Sequence, residues 1–166
     1  MAAHEPCFVV ALPRSRTAWM SAWLDIPHEL MDGCHSVGDF LIRCESGTAD
    51  AWLSWFPIRE YFPKAPVLVI HRDIDDVVAS YEKLSDIKLD DSLIEMLEKS
   101  NERMDKIDSA MHVNFEDIDD SLEDIWNHMK PHKKFDKKRA ESYKKLNIQT
   151  MDLSGDPDTY RVFVGG

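Results

Sequence analysis

The sequence is short of positive charge, of long apolar runs and of cysteine, and each shortage excludes something. Lys and Arg number 20 against 31 Asp and Glu, a formal charge of −11 over 166 residues. So acidic a chain is poorly suited to nucleic acid in general or to anionic membrane surfaces, because phosphate contacts need clustered Lys and Arg. A single small anion held by a few converging basic side chains stays open. No apolar run approaches the roughly 18 residues of a membrane-spanning helix. The first run, residues 7–12, is too short for a signal-peptide core and follows His4 and Glu5, not a basic leader. A cytoplasmic protein is therefore expected. Cys7, Cys34 and Cys44 are odd in number and lack C-x-x-C spacing, so three reduced thiols are expected in that compartment.

What is present suits one domain spanning residues 1–166, long enough to bury roughly 70% of the surface its unfolded chain exposes. Residues 7–12 and 66–70 are continuous β-prone apolar runs, the pattern of strands buried on both faces of a parallel sheet. Each is followed by a short polar break and then by apolar residues at helical spacing: Trp19, Met20, Trp23 and Leu24 after the first, Val77, Val78 and Tyr81 after the second. Strand, tight loop and helix occurring twice point to an α/β fold with a parallel sheet. Residues 111–115 read as a third strand, residues 27–31 as a short additional one, and residues 160–164 as a final one. Helices are expected over 36–43, 92–107 and 121–129, in a stretch reaching residue 146, and over the aromatic-rich 49–61, interrupted near Pro57. Charge is segregated: residues 72–128 carry 18 acids and 6 bases, whereas 130–139 carry 6 bases and one acid. Both read as solvated helix surface, the basic run alternatively as a docking surface for an acidic partner.

The loop after the first strand, Pro13-Arg14-Ser15-Arg16-Thr17-Ala18-Trp19, is the most informative segment. A tight strand-to-helix turn aims backbone N–H groups and the positive end of the helix dipole at one spot. Arg14 and Arg16 add two charges there, and Ser15 and Thr17 add hydroxyls. The segment lacks the glycines and lysine of G-x-x-x-x-G-K-[ST], which disfavours an Mg-ATP enzyme. At the end of the second strand stands Arg72, with Ser80 eight residues on. Strand ends of parallel sheets are where ligands bind, and an Arg fork with a hydroxyl suits a second phosphate. A salt bridge from Arg72 to Asp73, Asp75 or Asp76 is the competing reading.

Taken together these segments resemble the sulfotransferases. Residues 13–19 resemble the family's 5′-phosphosulfate loop, in a form most similar to small sulfotransferase-like proteins of bacteria and their phages. Val69-Ile70-His71-Arg72-Asp73, continuing to Ser80, resembles the 3′-phosphate motif, and Val113-Asn114-Phe115-Glu116-Asp117-Ile118 a later strand-end segment. The similarity spans about residues 7–130, in order. It implies a P-loop-type three-layer α/β sandwich and a site for 3′-phosphoadenosine 5′-phosphosulfate (PAPS), with 3′,5′-ADP as product and no metal. Arg14, Ser15, Arg16, Thr17 and Ala18 would surround the phosphosulfate, with Arg14 neutralising the transferring group. Trp19 would either stack on adenine or sit in the core, and Arg72 and Ser80 would grip the 3′ phosphate.

Two positions depart from the pattern: Arg16 stands where a glycine is usual, and Ala18 where a second hydroxyl is usual. The family's late glycine-rich loop is not visible, and the chain is shorter than most members, so much of the structure that covers the acceptor is expected to be missing, minimal or supplied by another subunit. The transfer needs a base for the acceptor's proton. Glu29 and His28 lie nearest the expected strand end and rank ahead of His35, which a gapless alignment favours. His71 reads as a strand-end histidine. The expected activity is sulfuryl transfer to a hydroxyl or amine. The alternatives are a non-catalytic nucleotide-binding or interaction protein on the same fold and a degenerate P-loop kinase. The acceptor and any homo-oligomer are left open.

Overall fold

The computed structural model describes residues 5–148 and 162–163. The first apolar run forms β1 (Cys7–Ala11), buried along its whole length. No polar atom of its side chains needs water, and its backbone is hydrogen-bonded on both edges. One edge pairs with β2 (Gly47–Asp50), Val9 opposite Ala49. The other pairs with β3 (Val67–His71), Val9 opposite Leu68. β4 (Met111–Asn114) lies beyond β3, with Ile70 opposite Val113. All pairings are parallel and the order is β2-β1-β3-β4.

Alternation along the strands divides the core into two layers. Val9, Ala11, Leu68 and Ile70 face the layer built by α1 (Thr17–Leu24) and α6 (Leu122–Met129), where Trp19, Trp23 and Trp126 pack in a row. Phe8, Val10, Val67 and Val69 face the opposite layer. There Phe40 of α2 (Val37–Arg43), Ile58 of α3 (Ile58–Tyr61), Val77 of α4 (Ile74–Ser85) and Leu97 and Met104 of α5 (Asp91–Asp105) close the core. The chain is thus α/β, a parallel four-stranded sheet with helices on both faces. Ser36, Asp73, Asp90 and Asp136 cap α2, α4, α5 and α7 (Lys137–Lys144) through their side chains, which satisfies N–H groups that have no partner inside the helix. Among the described residues no helix is long and apolar enough to cross a membrane.

Two sequence expectations change. Residues 27–31 contribute a single parallel bridge, His28 to Ala49, before a 3-10 turn at Leu30–Gly33. The segment 49–61 is no interrupted helix: it ends β2, makes a 3-10 turn at Leu53–Trp55 and forms only the four-residue α3. Pro57 is the N-cap of α3, and the aromatics pack individually instead of along a stripe, Phe56 against Phe40 at 4.7 Å and against Tyr61 at 5.3 Å. β2 itself has almost no apolar signal. Gly47 takes φ 92°, and a Cβ there would stand 1.7 Å from the Cys7 carbonyl oxygen, so glycine is required for β2 to reach β1. β5 (Asn147–Ile148) pairs antiparallel with β6 (Val162–Phe163). Of the final strand expected over 160–164, Tyr160, Arg161 and Val164 lie outside the described residues.

The strand order places a switch point at the centre of the sheet. β1 leads into α1 in one layer, and its neighbour β3 leads into α4 in the other. The chain parts at the carboxyl ends of these two strands, which opens a crevice there.

Candidate active site

A cleft of about 820 Å³ occupies that crevice, within the range of about 300–1,000 Å³ typical of small-molecule sites. Its floor is the loop between β1 and α1. Arg14 and Arg16 both lie in the left-handed region, at φ 62° and 66°. A side chain with a Cβ is held there at a cost of roughly 1–2 kcal/mol each. Arg16 is the N-cap of α1 and makes no side-chain capping bond. Pro13, Arg14, Thr17 and Ala18 line the cleft beside it. Ser15 turns away: it is fully buried, and its hydroxyl donates to the Pro13 carbonyl at 3.5 Å.

Arg14 and Arg72 meet at the seam between β1 and β3. Arg72 donates to the main-chain carbonyl of Arg14, and Arg14 Nε donates to Ser80 Oγ at 3.2 Å. Burial, and then the neighbouring Arg72 charge, make the Arg14 cation less favourable than usual. The Arg72 guanidinium stacks over Phe115, 4.0 Å from the ring centroid, and its buried Nε has no hydrogen-bond partner among the described residues. Among the described residues Arg72 makes no salt bridge to Asp73, Asp75 or Asp76; the Asp73 carboxylate caps α4 by accepting from the N–H groups of Asp75 and Asp76.

Arg16 takes another path. Its guanidinium pairs with Asp119 at 2.8 Å and covers the Trp19 ring at 4.2 Å. Trp19 touches the cleft but is only 2% exposed, and its indole N–H donates to the Tyr143 carbonyl at 3.0 Å. Of its two readings, the core one describes its packing.

The opposite end of the cleft carries His28, Glu29 and Asp32. His28 Nε2 lies 3.0 Å from Thr17 Oγ1 and 3.3 Å from Glu29 Oε1. Burial pushes the imidazole down to about 4, so it is neutral at physiological pH. Glu29 Oε1 accepts from the Ala51 N–H at 3.1 Å. Burial, with Asp50 and then Asp32 as like-charged neighbours, pushes the Glu29 carboxyl up to about 9. Hence Glu29 is protonated and His28 is the group able to accept a proton. His35 is exposed, its N–H donates to Asp39, and it does not line the cleft. His71 is half-buried and hydrogen-bonded to His112 at 2.8 Å, also away from the lining.

The structure therefore brings Arg14, Arg16, Thr17, Ala18, Arg72, Ser80, His28 and Glu29 to one cleft, with Trp19 beneath it. Sequence reasoning missed Asp50, a fully buried acid behind Glu29. The only signal for it was a carboxylate ending the segment 47–50, which has no apolar run to mark it as a strand. It also missed Asp119, the partner of Arg16. No family model matches the chain, and neither does any curated protein.

Proposed function

We propose that the chain is a sulfotransferase, moving a sulfuryl group from PAPS to a hydroxyl or amine acceptor on a P-loop-type three-layer fold. One observation carries this reading: Arg14 and Arg72 converge with Ser80 at the switch point, and the buried Arg72 Nε has no partner among the described residues. Two like charges that feel each other in a half-buried crevice favour an anion beside them. The donors fit a ligand carrying a phosphosulfate and a separate phosphate. Arg14, with the N–H groups of Thr17 and Ala18 opening α1, would hold the former, and Arg72 with Ser80 the latter.

PAPS, when bound, supplies the activated sulfuryl group. The chain's own residues position and neutralise. Arg14 offsets charge on the leaving phosphate, which is the main demand of such a transfer. His28 would accept the acceptor's proton as the acceptor oxygen or nitrogen bonds to sulfur and the S–O bond to the phosphate breaks, releasing 3′,5′-ADP. Its neutrality and its place beside Thr17 favour it over Glu29, which holds its own proton.

Thermal unfolding tests the reading. 3′,5′-ADP at a hundredfold excess over its Kd should stabilise the protein by about 2.7 kcal/mol, whereas Mg-ATP should not. Stabilisation by Mg-ATP alone would overturn it in favour of a kinase. A non-catalytic nucleotide-binding protein is the second reading, favoured by the pairing of Arg16 with Asp119 at the cleft wall, which already neutralises that guanidinium. Its signature is 3′,5′-ADP binding without transfer of labelled sulfate from PAPS to any acceptor or to water.

A further inference from the structure

We propose that Asp50 is a positioning residue for His28, acting through the Glu29 carboxyl group. The role of His28 rests on the sulfotransferase reading; the chain of contacts behind it does not.

Asp50 ends β2 and is fully buried. Its Oδ2 accepts from the Met31 N–H at 3.0 Å and its Oδ1 from the Trp52 N–H at 2.9 Å. Its carboxyl group adjoins that of Glu29, near enough for the two to share a proton. Glu29 is fixed in turn: its N–H donates to the Ala49 carbonyl at 3.0 Å, its backbone is left-handed at φ 52°, and Oε1 takes the Ala51 N–H. That same Oε1 faces His28 Nε2. A line of three groups thus runs from the buried strand end to the cleft.

Two carboxyl groups can share a hydrogen bond only with one proton between them, because both cannot ionise in contact. Asp50 accepts two main-chain N–H bonds and Glu29 one, so Asp50 is the better-supported anion and the proton resides on Glu29. Among the described residues, Asp32 also lies in the field of both Glu29 and Asp50, and Cys34 in that of Asp50. Placing the negative charge on Asp50, one residue back from the imidazole, keeps His28 from gaining a proton prematurely. When an acceptor O–H gives its proton to His28, the shared proton moves from Glu29 to Asp50. The negative charge then faces the new imidazolium; the two carboxyl groups keep their one shared proton between them, and the group of three gains only the acceptor's.

The test is an NMR titration of carboxyl carbons and imidazole nitrogens in the full chain, joined to a pH–rate profile. In the unsubstituted protein Glu29 should be protonated at pH 7 and His28 neutral down to about pH 5. Asp50→Asn removes the like charge, so the Glu29 midpoint should fall, burial and Asp32 still holding it above the usual carboxylate range, and the His28 midpoint should rise by at least one pH unit. The acid limb of kcat/KM should rise with it, activity falling at pH 6 and recovering at pH 8. Glu29→Gln, which keeps an N–H where the acid has its O–H, should leave the His28 midpoint low. An unmoved His28 midpoint in folded Asp50→Asn would overturn the proposal. Should that variant not fold, an ionised Glu29 at pH 7 in the unsubstituted protein overturns it equally. If the midpoint shifts but no sulfate is transferred, the coupling stands and the sulfotransferase reading fails.

Discussion

Arg72 donates its guanidinium to the main-chain carbonyl of Arg14, fastening the loop that leaves β1 to the end of β3. Two segments 58 residues apart in sequence are thereby one unit. The buried Nε of the same guanidinium has no hydrogen-bond partner among the described residues. Loop shape and anion capture are consequently linked: a change at Arg72 disturbs both.

Arg72→Ala should therefore weaken 3′,5′-ADP binding by about 10- to 100-fold in calorimetry, the equivalent of about one charge-assisted hydrogen bond. Far-UV circular dichroism should be unchanged. Arg72→Lys keeps the charge but not the fork, and cannot serve the Arg14 carbonyl and an anion together. It should recover only part of the loss. Unaltered affinity in both variants would remove Arg72 from the site.

Arg16 offers a comparison of two truncations. Both Arg16→Gly and Arg16→Ala delete the pair with Asp119 and the cover over Trp19. They differ in that alanine must adopt φ 66° with a Cβ and glycine need not. Arg16→Gly should be the more stable of the two by about 1 kcal/mol in urea unfolding. Equal midpoints would mean that the loop relaxes out of the left-handed region.

Trp19 separates packing from ligand stacking. Trp19→Ala should cost about 3–5 kcal/mol, the range for emptying a large aromatic from a core. Trp19→Phe keeps most of the volume and loses the bond to the Tyr143 carbonyl. It should be mildly destabilised while binding 3′,5′-ADP within threefold of the unsubstituted protein. A tenfold loss of affinity in Trp19→Phe would restore the ring to the adenine site.

How far the sequence reveals all this depends on where burial comes from. β1 and β3 are legible because Phe8 to Ala11 and Val67 to Ile70 are buried by their own apolar character. The meeting of Arg14, Arg72 and Ser80 follows, since parallel strands deliver their following loops to one end of the sheet. β2 is illegible because Gly47, Thr48 and Asp50 are buried by their neighbours, not by hydrophobicity. Asp50 is tolerated only because Met31 and Trp52 donate to it from segments that sequence periodicity does not connect. The choice among His28, Glu29 and His35 was likewise hidden. It turns on the left-handed turn at Glu29, which sends Leu30–Gly33 into a 3-10 helix and carries His35 out to solvent.

Gly47→Ala tests the close approach of β2 to β1. The added Cβ would overlap the Cys7 carbonyl in the main chain, where no side chain can swing aside, at a φ that disfavours alanine. The loss of stability should exceed the about 1 kcal/mol of an ordinary left-handed glycine, with the deficit concentrated in β2. Hydrogen exchange at Thr48 and Ala49 should accelerate relative to Val9 and Leu68. Uniform protection across all four would show that the sheet absorbs the methyl.

The dependence of stability on pH follows from two groups of opposite sign. His28 is depressed from 6.5 to about 4 by burial, so between those values the unfolded chain binds the extra proton. Its contribution is complete above pH 6.5 and is lost as pH falls toward 4. Glu29 is raised from 4.5 to about 9 by burial and its acidic neighbours, so the folded chain keeps the proton longer. Its contribution is complete below pH 4.5 and is lost as pH rises toward 9, with Asp50 acting in the same direction. Between 4.5 and 6.5 the two slopes oppose and stability should be flat. Above 6.5 only the carboxyl slope remains, up to about 1.4 kcal/mol per pH unit for each proton that separates the two states. Urea midpoints taken from pH 4 to 9 should trace this plateau with its two limbs. Glu29→Gln should flatten the alkaline limb and His28→Gln the acid one. An alkaline limb that survives unchanged in Glu29→Gln would show that Glu29 does not hold its proton in the folded protein, because no other change removes that group while leaving its hydrogen-bonding shape.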